Sequence, residues 1–402
     1  MRILLKAFKT EIAPTDAQQQ KIIRSIGIAR FLYNQYIACN HRLYKMYQRG
    51  MLDSSQKHFL TAFDFDKYVN HKLKKELPWI NECGAKARKK SLVNAEQAFK
   101  KFFAGKAGFP KFKKKVRQNV KLYFPRNNKS DFRIWRHKIM IPTLKQVRLK
   151  EYGYLPVGLS ATNGTISYES RKFYVSITVE IDEKTYHNQD LELYYKAKTA
   201  GIGIDLGIKN LAILSTDTVF KNINKSSKVR RLEKRLRRKQ RQLSRKYEML
   251  KKRGGKTATV SANIEKQKLK VQKLHHKKTK ICEDYENQVI HKIIKPKPSY
   301  ITVEDLNVKG MMKNKHLSKA IAAQRLNTFI AKLKRKAKII GIEIRVADRF
   351  YPSSKTCHNC GHINKDLKLK DRKYICLKCG YTADRDYNAA LNLRDTEKYQ
   401  TA

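Results

Sequence analysis

The chain has 402 residues, enough for two to four domains that each bury a core, and no apolar run approaches the roughly 20 residues of a membrane-spanning helix. Its 90 Lys and Arg against 34 Asp and Glu leave a formal net charge of +56, far above what solubility requires. The counterweight must be a polyanion, and because the basic residues recur in every region, nucleic acid is the expected partner, with no membrane and no secretory leader in the short start Met1-Arg2-Ile3.

Residues 2 to 9 alternate and predict a strand. Pro14-Thr15 then opens a helix, with Thr15 and Gln18 at capping-box spacing and Ile22, Ile26, Ala29, Tyr33, Tyr36 and Ile37 at helical spacing. Further helical patterns cover about 63 to 77 and 86 to 104, so this block reads as a small helical bundle that Gly105 and Gly108-Phe109-Pro110 end. From Val120 to about Leu193 short alternating runs separated by turn residues predict a compact β-barrel, which the first strand could join.

After about residue 199 the pattern becomes α/β. Residues 200 to 207 and 211 to 215 read as a buried strand pair, and 300 to 306 as another buried strand. A helix near 317 to 340 and a strand from Ile342 to Val346 follow. Between them, residues 226 to 294 place Val229, Leu236, Leu243 and Leu250 seven apart, then Ile264, Val271, Leu274 and Ile281 after Gly254-Gly255, which predicts an antiparallel helical hairpin. From 225 to 280 there are 23 Lys and Arg against 3 Asp and Glu. A solvated charged face is the plain alternative, but so one-sided a charge would repel itself, and nucleic-acid contact is expected.

Cys357-X-X-Cys360 and Cys376-X-X-Cys379 have the spacing of a four-thiolate zinc site, each pair forming a knuckle followed by glycine, Gly361 or Gly380. Four thiolates leave zinc no open position, so the ion is structural. His358 and His362 are expected to be exposed polar residues. Cys39, Cys83 and Cys282 are scattered, which fits metal usage in a reducing compartment and a cytoplasmic, nucleoid-associated protein better than a disulfide framework.

Three acids are candidates for chemistry. Asp205 ends a strand between Gly203 and Gly207, a pattern also found at phosphate sites and in plain turns. Glu304 ends a second buried strand, where an unpaired carboxylate is costly, while the adjacent Asp305 points to the opposite face. Asp386 shares a helix face with Ala389, Ala390 and Leu393; Asp384 lies off that face and reads as a cap or a surface carboxylate. Gathered together, such carboxylates would repel unless divalent cations lay between them, and a pair of Mg²⁺ ions there suits phosphodiester hydrolysis. No serine or cysteine nucleophile arrangement and no GxxxxGK[ST] loop for ATP is present.

Four runs carry a resemblance: Gly203-Ile-Asp-Leu-Gly-Ile-Lys, Val303-Glu-Asp-Leu-Asn-Val-Lys-Gly-Met-Met, Arg349-Phe-Tyr-Pro-Ser-Ser-Lys-Thr-Cys-His-Asn-Cys-Gly and Cys379-Gly-Tyr-Thr-Ala-Asp-Arg-Asp-Tyr-Asn-Ala-Ala. With them the chain resembles the TnpB family of insertion-sequence proteins, relatives of type V CRISPR effectors. The resemblance implies a multidomain α+β protein: a wedge-like β-barrel from 1 to 10 and 106 to 195, a helical recognition lobe from 11 to 105, and a RuvC-like, RNase H-type nuclease domain from 196 to 350 and 381 to 402. The hairpin at 226 to 294 is inserted in that domain, and a zinc ribbon at 351 to 380 precedes its third acid. Carried onto matching positions, the triad is Asp205, Glu304 and Asp386, binding magnesium, and the zinc ligands are Cys357, Cys360, Cys376 and Cys379.

The resemblance further implies a guide RNA from the transposon end and cleavage of double-stranded DNA beside a short flanking motif. A binding-only, RNA-guided repressor would be expected to have lost an acid, and all three are present. A guide-independent, structure-specific nuclease would share the triad but has little use for the lobe, barrel and knuckle. Two departures stand out: Ala320-Ile-Ala-Ala-Gln-Arg-Leu-Asn replaces a segment in which many relatives carry tryptophan, and the basic hairpin is long.

Overall fold

The computed structural model describes residues 3–52, 59–114, 121–126, 131–159, 161–182, 199–253, 261–368 and 371–401. The chain divides into two compact units, Met1–Asn188 and Gln189–Ala402.

In the first unit, strand β1 (Ile3–Ala13) runs into helix α1 (Asp16–Gln48) through the predicted capping box: Thr15 Oγ1 accepts from the Gln18 N–H at 3.4 Å, and Gln18 Oε1 accepts from the Thr15 N–H at 3.0 Å. The strand is longer than its alternating pattern, because Thr10 and Glu11 interrupt the apolar sequence while their backbone stays in the ladder. Helix α1 buries Ile22, Ile26, Ala29, Tyr33, Tyr36 and Ile37 against α2 (Ala62–Tyr68) and α3 (Ala85–Phe103). Tyr36 meets Phe65 and Phe99 edge-on, with centroids 5.5 and 6.4 Å away.

Strands β2 (Leu122–Pro125), β3 (Lys138–Ile141), β4 (Lys145–Leu149), β5 (Ala161–Glu169) and β6 (Lys172–Asp182) complete an antiparallel sheet of order β2-β5-β6-β1-β4-β3. β1 pairs with β6 from Ile3 to Ile12 and hands over to β4 at Ile12 and Ala13. Among the described residues β2 and β3 are the outermost strands, β3 flanked only by a short bridge at Ile134 and Ile139, so the expected barrel is an open half-barrel. Residues 183 to 195, also assigned to it, lie outside the described residues. Helices and sheet share one apolar core, from Phe8 and Ile12 to Phe99, Val147 and Val175.

The second unit centres on a mixed sheet of order β14-β11-β10-β7-β8-β9. Strands β7 (Ile202–Leu206), β8 (Asn210–Leu214) and β9 (Val219–Lys221) are antiparallel neighbours; β10 (Tyr300–Glu304) and β11 (Glu343–Ala347) run parallel to β7. Between β9 and β10 rise helices α4 (Ser227–Lys252) and α5 (Ala262–Ile294), the predicted hairpin, zipped by Leu232, Leu236, Val271 and Leu274. Its tip, with Gly254-Gly255, lies outside the described residues. Farther along α5, Val289, Ile290, Ile293 and Ile294 enter the core of the sheet. Buried Glu286 accepts from Lys332 Nζ at 2.7 Å and thereby fastens the hairpin's base.

The helix expected near 317 to 340 is two, α6 (Ser318–Gln324) and α7 (Leu326–Ile340), broken at Arg325, whose φ is 55°. The break lets the Arg325 guanidinium approach Glu286 at 3.5 Å and lets Gln324 Nε2 donate to the carbonyls of Gly207 and Asn210 at 3.0 and 3.3 Å. Tertiary bonds thus offset the lost helical turn. Beyond β11 come a small hairpin, β12 (Lys373–Ile375) and β13 (Thr382–Asp384), helix α8 (Arg385–Asp395) and edge strand β14 (Tyr399–Thr401). Among the described residues no helix is long and apolar enough to cross a membrane.

Candidate metal centres of the second unit

Asp205 and Glu304 lie at the carboxyl ends of β7 and β10, which are parallel neighbours. Val303 pairs with Ile204, so the two acids are the next residues in the same register. Asp386 enters from the first turn of α8, which lies on β7. That approach depends on Gly203: a Cβ there would lie 2.0 Å from the Ala390 carbonyl oxygen and 2.4 Å from the Arg394 nitrogen. The apolar helix face read from the sequence is the packed one, with Ala389, Ala390 and Leu393 at most 1% exposed. Asp384 is the N-cap of α8, accepting from the backbone N–H groups of Asp386 and Tyr387 at 2.9 and 3.1 Å.

Burial, then the charges of Glu304 and Asp386, push the Asp205 carboxyl well above the usual carboxylate range. Burial raises Glu304 too, against a hydrogen bond from Ser353 that favours its anion, and Asp386 adds to the rise. The donor set is therefore excess negative charge in a shielded place. Asp386 is turned toward cations on its own side: Arg385 Nη2 donates to Oδ1 at 2.7 Å, and Arg372 Nη1 stands 3.7 Å from Oδ2. Among the described residues, the ligand atoms of the three acids do not close to within 4.8 Å of one another, as those of the four cysteines do.

The cysteines form a tight cluster. Cys357 Sγ lies 3.7 Å from Cys379 Sγ, and Cys360 Sγ 3.6 Å from Cys376 Sγ. A tetrahedron with metal–sulfur bonds of about 2.3 Å has edges of about 3.8 Å, so the thiols fit a zinc-sized ion. Gly361 and Gly380 each take φ of 72° and close their knuckles with N–H bonds to the carbonyls of Cys357 and Cys376 at 2.9 and 3.0 Å. A backbone N–H at Tyr381 is the main cause that draws the Cys379 thiol down to about 6, toward the thiolate a metal needs. Neither His358 nor His362 belongs to the cluster.

What the sequence reading missed is how these two sites are joined. Ser353, four residues before Cys357, donates through Oγ to Glu304 Oε1 at 2.7 Å. Asn392 Nδ2 donates to the carbonyls of Ser353 and Thr356 at 2.8 and 2.7 Å, and Asn388 Nδ2 donates to Thr356 O at 2.7 Å while its Oδ1 accepts from the His358 N–H at 3.1 Å. One short loop therefore holds Glu304 by a side chain and α8 by two asparagines. The i, i+4 spacing of Asn388 and Asn392 on a buried helix face is the signal that could have revealed it.

Because Gly203 meets backbone rather than a pliable side chain, Gly203→Ala is expected to destabilise the second unit by about 3 kcal/mol. It should also displace Asp386. Thermal melting combined with a cleavage assay checks this, and an unchanged melting temperature would contradict the close approach.

Comparison with known proteins gives three family matches: OrfB_IS605, described as a probable transposase, at 176–315; a helix-turn-helix domain of OrfB_IS605 at 1–49; and a Cas12f1-like TNB domain at 327–393. Residues 3 to 48 of the helix-turn-helix match form one strand and one long helix, β1 and α1. A Streptomyces pristinaespiralis protein named as a candidate RNA-guided DNA endonuclease is 28% identical over 396 residues, covering 98% of this chain and 89% of its own. InsQ of Escherichia coli K12, named in the same way, is 29% identical over 408 residues, covering 97% and 91%. Among solved structures, a Cas12f1–sgRNA–target DNA complex shares the fold at a TM-score of 0.57 and 15% identity, over 99% of this chain and 100% of that one.

Proposed function

Since the chain belongs to the TnpB family of insertion-sequence proteins, we propose that it is an RNA-guided DNA endonuclease of a transposon, cutting double-stranded target DNA beside a short flanking motif. The observation that carries the nuclease reading is the gathering of Asp205, Glu304 and Asp386 from two parallel strand ends and a helix start. The mixed sheet that presents them supports a RuvC-like, RNase H-type domain.

In this reading the three carboxylates hold a pair of magnesium ions, and the four cysteines hold one zinc ion. Bound magnesium supplies an activated water and stabilises the leaving 3′ oxygen of the scissile phosphodiester. The protein's own contribution is placement: β7 and β10 fix two carboxylates in register, Gly203 admits α8 with the third, and Ser353 orients Glu304. Arg385 and Arg372 balance Asp386, and the Arg385 charge also reaches Asp205. Zinc ties the knuckles without an open coordination position and so acts on shape.

The first unit supplies the wedge-like sheet and the helical recognition lobe, and the hairpin contacts nucleic acid. Lys228, Arg231, Arg235 and Lys277 line a groove on that hairpin over Leu232 and Ile281. Guide pairing reads the target sequence, and the protein reads shape and charge.

The test is to purify the protein from its native host, sequence the RNA that accompanies it, and reprogram that RNA against a plasmid. Magnesium-dependent cutting of matched plasmid only is the expected result. Random RNA, or equal cutting of mismatched plasmid, would overturn the guided reading. Binding should also weaken steeply with salt as counterions are released, with log K falling by about 0.9 for each neutralised phosphate per decade of salt. A flat titration by filter binding would contradict contact through a basic groove.

A further inference from the structure

We propose that Phe350 is a stacking platform for an unpaired nucleobase of the strand held at Asp205, Glu304 and Asp386, a role that rests on the nuclease reading above. Phe350 is 88% exposed, the highest value of any large apolar side chain among the described residues. A single exposed apolar residue is ordinary. The way this one is held is not.

Its N–H donates to Asp348 Oδ1 at 2.8 Å, and the Tyr351 N–H donates to Asp348 O at 3.1 Å. Asp348 is itself tied by its N–H to Lys398 O at 3.1 Å, and the Tyr351 hydroxyl donates to Asn392 O at 3.3 Å. The turn is thus bonded on both sides of the aromatic ring while leaving the ring in solvent. Arg349, one residue before, pairs with Asp305; Ser353, three residues after, donates to Glu304. The loop is strapped across the end of β10 at two consecutive residues, and Phe350 lies at most about 11 Å of backbone from Ser353.

Asp348 and Arg349, the two residues before Phe350, are exposed and charged, so the chain that leads to the ring is polar rather than apolar. An exposed π face beside charged residues suits one base of a single strand, and it accepts any base, as a guided nuclease requires. A guide that pairs with one strand of the target displaces the other, and the displaced strand exposes such a base.

The experiment compares the full-length protein with Phe350→Ala, Phe350→Leu and Phe350→Trp, each assembled with guide RNA, in single-turnover cleavage and target-binding assays. Alanine and leucine should slow cleavage roughly ten- to hundredfold, tryptophan should restore it, and guide binding should not change. In parallel, single-stranded DNA carrying 5-iododeoxyuridine is photocrosslinked to the wild-type protein, and the adduct is expected on the peptide containing Phe350. Full activity of Phe350→Leu, or an adduct only elsewhere, overturns the proposal. Failure of the wild type to cleave, with an adduct at Phe350, would instead overturn the nuclease reading and leave the stacking site standing.

Discussion

Replacing Asp205 by alanine is expected to lower magnesium-dependent cleavage by at least about a thousandfold, equivalent to about 4 kcal/mol of transition-state stabilisation, while guide and target binding stay near wild type. The carboxylate sits at the end of β7, and nothing in the packing of the sheet uses its charge: Ile202, Ile204 and Leu206 supply the core of that strand. Binding is therefore expected to survive. Loss of binding in parallel with cleavage would make Asp205 structural.

The same site yields a stability effect of opposite sign. The native Asp205 carboxyl titrates above its usual range because of burial and its anionic neighbours. Between the unfolded value and that raised native value, the folded protein holds more protons than the unfolded one, so stability falls as pH rises through this window. At neutral pH without divalent cations, Asp205→Asn removes the penalised charge and is expected to raise the melting temperature, although it abolishes cleavage. Magnesium should stabilise the wild type and leave the variant nearly unchanged. A lower melting temperature for the variant under these conditions would show that the carboxylate is held by partners rather than strained.

The second large effect is expected at the cysteines. Cys376→Ser, or extraction of zinc, should loosen residues 351 to 380 and reduce cleavage by about tenfold or more with all three acids intact. The route is specific: loss of the knuckles frees the loop through Ser353, Thr356 and His358, which Asn388 and Asn392 bind, and so releases both Glu304 and α8. Hydrogen exchange should rise in that loop and in the first turn of α8, with little change in β1 to β6. Restoring magnesium alone should not rescue cleavage, which separates this effect from loss of the catalytic ions. A zinc-free protein that cuts at full rate would break the coupling between the two centres.

The elements most readable in the sequence were those whose signal is local. The Thr15–Gln18 capping box, the seven-residue spacing of the hairpin and the paired cysteines each declare themselves within a few turns of chain, and their geometry is recovered in α1, α4, α5 and the sulfur cluster. The face of α8 was readable for the same reason, because Ala389, Ala390 and Leu393 repeat at helical spacing. The length of β1 was not, since Thr10 and Glu11 break the alternation while the pairing with β6 carries the strand on. The break at Arg325 was equally hidden: residues 317 to 340 read as one amphipathic run, and the partners that reward its interruption, among them Glu286 on α5 and the β7–β8 turn, are distant in sequence.

By itself the sequence determined which groups the chain offers for chemistry: four cysteines at knuckle spacing, three acids at the ends of predicted elements, and a cationic excess suited to a polyanion. These depend on residue type and short-range spacing alone. Only the tertiary structure decided how they are joined, because register between β7 and β10, the backbone contact at Gly203 and the bonds from Ser353, Asn388 and Asn392 connect residues 30 to 190 positions apart. No local periodicity encodes a contact at that range. It is set by which surfaces pack, and here packing makes a cysteine knuckle the support of two acids that lie outside it.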